Sequence, residues 1–508
     1  MQRVEPVGAG RTSRPSARLF DASPASEVPV SGAPVLTLDL GTSATKAGLW
    51  SGRRLAAIAR VPIATQHPKA GWAEQDPTHW WSSVVEACAQ LRSVAPGAYA
   101  AVRAIGFAAA RESFVLVNNA LTPLGPGILW SDQRAGSEAE KLGDAREFRA
   151  RTGVVLNPAT HAAKLLWVRE HRAKQFAEAR WILAPRDLVV ARLTGEVVTD
   201  PSLASRTGWF AIEGGGWTSV GLDAAGERLP PVRPSTTMVD GLLREVARDL
   251  QLDRDVGVVL GAGDRACEAL GVGATEKRPM VSWGTTANVS VPLSGGRRAP
   301  TEAQISVGAL GGYVQEAGLS SSGAAIGWLE SITGWSRDDL MMAAAEVEPG
   351  ALGLIALAWL NGARAPWWRA DTHAAFVGLT AGHGPAELAR ALVEAVALDV
   401  TRSLELLAPD ARQLALAGGG AGDLVWRSVL AACSRKPVVR LTSNEAASVG
   451  ARIVVGAALG EPLDVDDLNP IVTQEEPEAA LIDAYREVRT RSNTAAAAVL
   501  QIATDTRR

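Results

Sequence analysis

Three stretches of the 508-residue sequence place polar and small residues where they could do chemistry. In VGVVLGAGDRACEALGVG (256–273) an apolar run ends at Gly261-Ala262-Gly263-Asp264, and a small-residue helical pattern follows. Asp264 is thereby set at a strand-to-helix turn. It could cap the helix, or it could present a carboxylate at a cleft and accept a proton from a hydroxyl, the glycines letting a substrate approach. In QLALAGGGAGDLVWR (413–427) a strand ends in Gly418-Gly419-Gly420 and a helix begins near Asp423. That is either a flexible turn or a flat, side-chain-free surface at a helix N-terminus, suited to a nucleotide. Between Ile105 and Arg134, Ala110-Arg111-Glu112-Ser113 follows one strand, and GILWSDQR with Trp130 and Asp132 follows the next. Such a set is a surface salt-bridge region, or it supplies paired donors and acceptors plus an indole face for a polyol. In a regular strand Arg111 and Glu112 point to opposite faces, so both can meet one substrate only where the backbone is irregular.

The elements that must position these groups alternate between strands and helices. VLTLDL (35–40) runs into Gly41-Thr42-Ser43 and a second strand over 46–50, a hairpin. Further strands are expected at 103–107, 114–117 and 181–183, with helical patterns between, which is α/β layering. PMVSWGTTANVSV (279–291) repeats the first device, strand then Gly284-Thr285-Thr286 then strand, about 240 residues later. A solenoid repeat is far shorter. The spacing fits two similar domains, each opening on a Gly-Thr hairpin. The glycine of such a turn lets a ligand approach, and its amides and hydroxyls can hold phosphate oxygens, although a hairpin also needs glycine for itself. Neither turn is followed by the Gly-Lys-Ser/Thr of a P-loop, and no GxGxxG follows the first strand, which disfavours a dinucleotide-binding dehydrogenase.

Composition narrows the class. The chain is 47% hydrophobic and 21% charged with a net charge of -3, so it is globular, and global charge gives no reason to expect a nucleic-acid or anionic-membrane partner. Cys88, Cys267 and Cys433 form no CxxC pair and read as small core residues. No apolar h-region opens the chain, and the longest apolar run, 351–360, is half a membrane span, so a cytoplasmic location is expected. Residues 1–33 read as a disordered extension, with order beginning at Pro34. The tail beyond Asn469 carries an alanine-rich helical stretch, 478–503, to pack on the second domain or at a homodimer contact.

The ordered set of motifs resembles the FGGY family of carbohydrate kinases. LDLGTSATK and SWGTTANV look like its two phosphate motifs, and GWAEQDPTHWW and GILWSDQR like its substrate-side segments. PRDLVVARLTGEVVTDPSLASRT, LGAGDRACEALGVG, GARAPWWRADTHAAFVGLT and AGGGAGDLVWRSVLA follow in the family's order. The resemblance implies an α/β fold of two ribonuclease-H-like, actin/hexokinase-type domains with the active-site cleft between them. The division expected is 34–276 for substrate and phosphate, 277–468 for nucleotide, and 469–508 for a C-terminal helical tail.

It also implies transfer of the ATP γ-phosphoryl group to a sugar or polyol hydroxyl. Asp264 would be the general base, and Asp39 would hold Mg²⁺ through water. Thr42, Ser43, Lys46, Gly284, Thr285, Thr286, Gly418, Gly419, Gly420 and Ala421 would bind ATP. Arg111, Glu112, Trp130, Asp132, Asp264 and Arg265 would bind substrate. The Arg111-Glu112 pair is similar to that of glycerol and other short-polyol kinases, whereas GARAPWW looks like the xylulokinase branch; a pentulose is favoured over a short polyol. The sequence departs from the family at Arg265, Trp283, Ala363 and Ala421-Gly422-Asp423. A non-catalytic nucleotide-binding regulator is the alternative of another class, and the intact Asp264 argues against it. An actin- or chaperone-type ATPase switch should lack ILWSDQR and LTGE.

Overall fold

A computed structural model describes residues 18–19, 32–239, 241–293, 295, 303–369 and 371–505. Most of the extension expected over 1–33 lies outside the described residues. Two seven-stranded sheets form the frame among those residues. The first contains β1 (Arg18–Leu19), β2 (Val35–Leu40), β3 (Ala44–Ser51), β4 (Arg54–Pro62), β5 (Ala104–Ala109), β6 (Met238–Val239) and β7 (Gly257–Gly263), in the order β1-β4-β3-β2-β5-β7-β6. The second contains β8 (Met280–Trp283), β9 (Ala287–Leu293), β10 (Gln304–Val307), β11 (Tyr313–Gly318), β12 (Leu414–Ala417), β13 (Val438–Leu441) and β14 (Ile471–Glu475), in the order β10-β11-β9-β8-β12-β13-β14.

Five strands of each sheet share one plan. An antiparallel meander is followed by two strands added in parallel: β4-β3-β2-β5-β7 in one half and β11-β9-β8-β12-β13 in the other. The repeated Gly-Thr hairpin is therefore the visible remnant of a duplicated α/β unit, as the resemblance implied. β2 and β5 are apolar almost throughout and buried, as parallel strands covered on both faces must be.

Helices cover the sheets. In the first half they are α1 (Thr78–Val94), α2 (Pro185–Thr194) and α3 (Asp264–Gly271). In the second they are α4 (Gly323–Thr333), α5 (Pro385–Leu407), α6 (Leu424–Ser434), α7 (Ala446–Ala458) and α8 (Ala479–Asp505). The equivalent helices α3 and α7, each following the fifth strand of its unit, cross between the halves. At the crossing a Cβ on Gly450 would lie 1.9 Å from the Cys267 carbonyl, and one on Gly271 would lie 2.0 Å from that of Ala446.

α7 does not stay with its own sheet. Val449, Ile453 and Val455 pack with Val35, Ala104, Ala108 and Val259 of the first half. Ser448 hydrogen-bonds Thr37 at 2.6 Å, and Arg452 donates to the Gly52 carbonyl. A unit spanning 277–468 is thus not self-contained. The tail also differs from a purely helical segment, because 471–475 extend the second sheet antiparallel to β13. α8 then packs Tyr485, Val488 and Ala495 into the core of that half. All three cysteines are buried and unpaired, and among the described residues no helix is long and apolar enough to cross a membrane.

Candidate active site

Asp39 is the penultimate residue of β2, and the return strand sets Lys46 opposite it in register. The Gly41 amide closes the turn on the Ala44 carbonyl at 3.1 Å, leaving Thr42 and Ser43 at the tip. The Thr42 hydroxyl accepts from Trp130 Nε1 at 2.9 Å, and its carbonyl accepts from Gln75 Nε2 at 2.6 Å.

In the second hairpin the Thr285 carbonyl takes the amides of Ser322 and Ala324, at 3.1 and 3.0 Å, and that of Gly284 takes Gly323 at 3.0 Å. The turn thus seats on the start of α4 with Gly284 and Thr285 exposed. Gly418 has φ 83° and lies against the end of β8, where a Cβ would come 2.5 Å from the Trp283 carbonyl. The second hairpin and the triple glycine are therefore one continuous surface. Asp423, not a loop residue, caps α6 through Val425 at 2.9 Å and Trp426 at 3.3 Å.

Asp264 is not a cap. The cap position of α3 is Gly263, and Asp264 makes no capping hydrogen bond. Its Oδ1 accepts the Arg265 amide at 2.7 Å and lies 3.2 Å from Arg111 Nε. Gly263 is fixed from behind: its amide donates to Ser202 Oγ at 2.8 Å, and Asp200 Oδ2 accepts the Ser202 amide at 2.8 Å. Asp200 is held in turn by buried Arg186 at 2.7 Å. The PRDL and TDPSLAS segments thus anchor the loop that carries Asp264. Burial pushes the Asp264 carboxyl above its ordinary range; Arg111 and Arg265 oppose the shift, and Glu268 adds to it.

One half of this cleft places a carboxylate at the end of a parallel strand. The other presents the exposed Gly284 and Thr285 beside the start of α4 and the exposed Gly419 and Gly422 ahead of α6. Models of the FGGY family of carbohydrate kinases match both, the N-terminal domain over residues 34–271 and the C-terminal domain over 280–459. The chain belongs to the FGGY family of carbohydrate kinases. It is 30% identical to a xylulose kinase of Escherichia coli, over 89% of this chain and 96% of that one. A gluconokinase of Bacillus subtilis is 26% identical over 90% and 93%. The crystal structure of a xylulose kinase from Rhodospirillum rubrum superposes with a TM-score of 0.83 at 26% identity, covering 93% of this chain and all of that one.

The FGGY kinase is a phosphotransferase with an alcohol acceptor, and it uses ATP. In this chain the residues expected on the acceptor side are more committed to one another than their sequence suggested. Arg111 sends Nη1 and Nη2 to the two carboxylate oxygens of Glu316, at 2.6 and 2.7 Å. Glu112 has φ 64°, the irregularity that lets both side chains face the cleft, and its carboxylate pairs with Arg206. Asp132 is fully buried; it accepts from the Ala73 amide at 2.6 Å and from Arg134 Nε at 2.8 Å. The Asp132 carboxylate thus holds Arg134, which is itself stacked on Trp72. Arg265 pairs with Glu268 on its own helix at 2.6 Å and reaches Ser282 of β8 in the second half. Trp283 packs beneath the glycine loop, its ring 4.7 Å from that of Trp426.

The surroundings of Asp39 suit a cation. Burial, with Asp264, Glu268 and Glu445 adding to it, raises its pKa to about 7, although Lys46 pulls the other way. Lys46 is itself tied to Glu445 at 2.6 Å.

Glu316, Arg206, Glu268 and Glu445 were not singled out by sequence. Only Glu268 had a local signal, since it lies one helical turn from Asp264 on the same face. The others reach the cleft from remote segments.

Proposed function

We propose that this kinase phosphorylates a hydroxyl of a pentulose, xylulose being the first candidate, from Mg·ATP, with Asp264 as general base. The carrying observation is Asp264 itself: a carboxylate partly exposed, raised by burial, and 3.2 Å from Arg111, the residue that reaches across to Glu316 of the second half. A base positioned in this way typically contributes 10²–10⁴-fold.

Thr42, Ser43, Thr285 and Thr286 hold the β- and γ-phosphates in this reading, and Gly418 to Ala421 line the adenosine. Asp39 holds Mg²⁺, largely through water as that ion prefers. When bound, the ion neutralises charge on the phosphates. The protein's own contribution is to position the hydroxyl at Asp264, to take its proton, and to exclude water as the halves close. The pentulose is preferred because xylulose kinases are among the relatives matched over nearly the full chain. In addition, Arg111 and Glu112, which suggested a short polyol, are both engaged by protein partners.

The test is ADP release with Mg·ATP against D- and L-xylulose, D- and L-ribulose, gluconate, glycerol and erythritol. Turnover on a pentulose, lost in Asp264→Ala with ATP binding retained, is the expected result. Preference for glycerol or erythritol overturns the substrate, and full turnover by Asp264→Ala overturns the base.

A further inference from the structure

The contact between Arg111 and Glu316 joins the two halves of the cleft at the point where the candidate base sits. Arg111 follows β5 of the first half, and Glu316 is on β11 of the second. Both charges are nearly out of solvent, with side chains 11% and 5% exposed. The guanidinium is fully directed. Its two terminal nitrogens meet the Glu316 carboxylate end-on, and its Nε faces Asp264 Oδ1 at 3.2 Å. Such a bidentate fork fixes the plane of the group as well as its place.

Each end is braced. The Arg111 stem lies on Gly263, where a Cβ would come 2.5 Å from Arg111 Cδ. Glu316 Oε1 also accepts from Ser306 Oγ at 2.6 Å.

We propose that Glu316 is a positioning residue for phosphoryl transfer: it orients Arg111, and through Arg111 the carboxylate of Asp264, when the halves of the cleft are together. This rests on the reading of Asp264 as the base. Opening the cleft would separate a buried, charged pair and leave Asp264 without its fixed cation. Closure and the alignment of the base are then one event. The other charged groups facing Asp264 are Arg265 and Glu268 on its own helix and Asp39 on β2. Arg265 also reaches the second half at Ser282, and Arg206 and Arg364 face Glu316, but only Arg111 contacts both Glu316 and Asp264, so its contribution can be isolated.

The experiment is a kinetic comparison of the full-length enzyme with Glu316→Gln, which keeps the side-chain shape and removes its charge. Misplacing a catalytic group slightly costs up to about a hundredfold in rate. The expected result is a fall in kcat of about ten- to a hundredfold, a KM for ATP unchanged within about twofold, and partial recovery in Glu316→Asp. The acid limb of the pH–kcat profile should move to higher pH, because a base that loses a neighbouring cation is protonated more readily.

Wild-type kcat in Glu316→Gln, or an acid limb that stays or moves to lower pH, overturns the proposal; the downward shift would mean that Arg111 stays at Asp264 without Glu316. If Glu316→Gln does not fold, Ser306→Ala, which removes only the brace on Glu316, must still shift the limb upward. Asp264→Asn is run alongside. If it turns over normally, the base assignment falls and this inference with it. If it is inactive while Glu316→Gln behaves as wild type, only the role of Glu316 falls.

Discussion

At the scale of single residues, charge crowding decides how the cleft behaves. Asp39, Asp264, Glu268 and Glu445 act on one another across a few side chains, and Lys46 is the cation set against Asp39. With a pKa near 7, Asp39 is largely protonated below neutral pH and ionised above it when no other cation is present. A divalent ion bound there favours the ionised form, so binding must release a proton. Titrating Mg²⁺ with a nucleotide analogue into the enzyme at pH 6.5, in two buffers of different ionisation enthalpy, should give different apparent heats corresponding to a release of up to about one proton. The terminal phosphate of the nucleotide also releases a proton on binding Mg²⁺ near this pH, so the same titration is run on Asp39→Asn as the baseline. The wild type should release more than that baseline at pH 6.5, the excess should vanish at pH 8.5, and the apparent affinity should fall as pH drops through 7. Equal release by wild type and Asp39→Asn at pH 6.5 would contradict a cation at Asp39. The residue types behind this crowding were legible: Asp39 and Asp264 stand at the ends of apolar runs. What the runs could not show was their partners, because Glu445 lies about 400 positions beyond Lys46 and Glu316 about 200 beyond Arg111.

At the scale of elements, the crossing between the halves is built by small residues. α3 and α7 cross with backbone nearly touching backbone at Gly271 and Gly450. A side chain on Gly450 has no far end of a flexible neighbour to push aside; it meets the carbonyl of Cys267. Gly450→Val should therefore spread the crossing and destabilise the protein by at least about 1–3 kcal/mol, the usual scale of overpacking, read as a lower midpoint in urea denaturation. An unchanged midpoint would mean the crossing is looser than its geometry. Most elements were readable locally: the strand expected at 181–183 is found there, and the tail helix expected at 478–503 spans Ala479–Asp505. The small-residue character of α3 was visible too. Its consequence, a close crossing with α7, was not, because it depends on α7 leaving its own sheet. No periodicity within AASVGARIVVGAA says which sheet its apolar face will cover.

At the scale of the whole molecule, the duplication explains the cleft, and the C-terminal segment shows how the second half differs from the first. β14 and α8 come after the duplicated plan and complete the second unit. Tyr485 is 2% exposed and is bound by Arg390 at 2.7 Å, and it lies 3.1 Å from Glu394, a salt-bridged pair buried on α5. Arg489 pairs with Glu405 further along the same helix. α8 is thus an integral part of the second core. A chain stopped after Asn469 would expose the edge of β13 and leave Arg390 and Glu394 without Tyr485. It should yield little folded protein. The milder variant Tyr485→Phe keeps the packing and removes one hydroxyl that serves both charges, a loss of about 1–3 kcal/mol for buried polar groups left short of a partner. It should lower the denaturation midpoint while kcat and the KM values stay near wild type, since Tyr485 belongs to the core of the second half and not to the cleft. A Tyr485→Phe enzyme of normal stability would show that the buried pair is satisfied without α8.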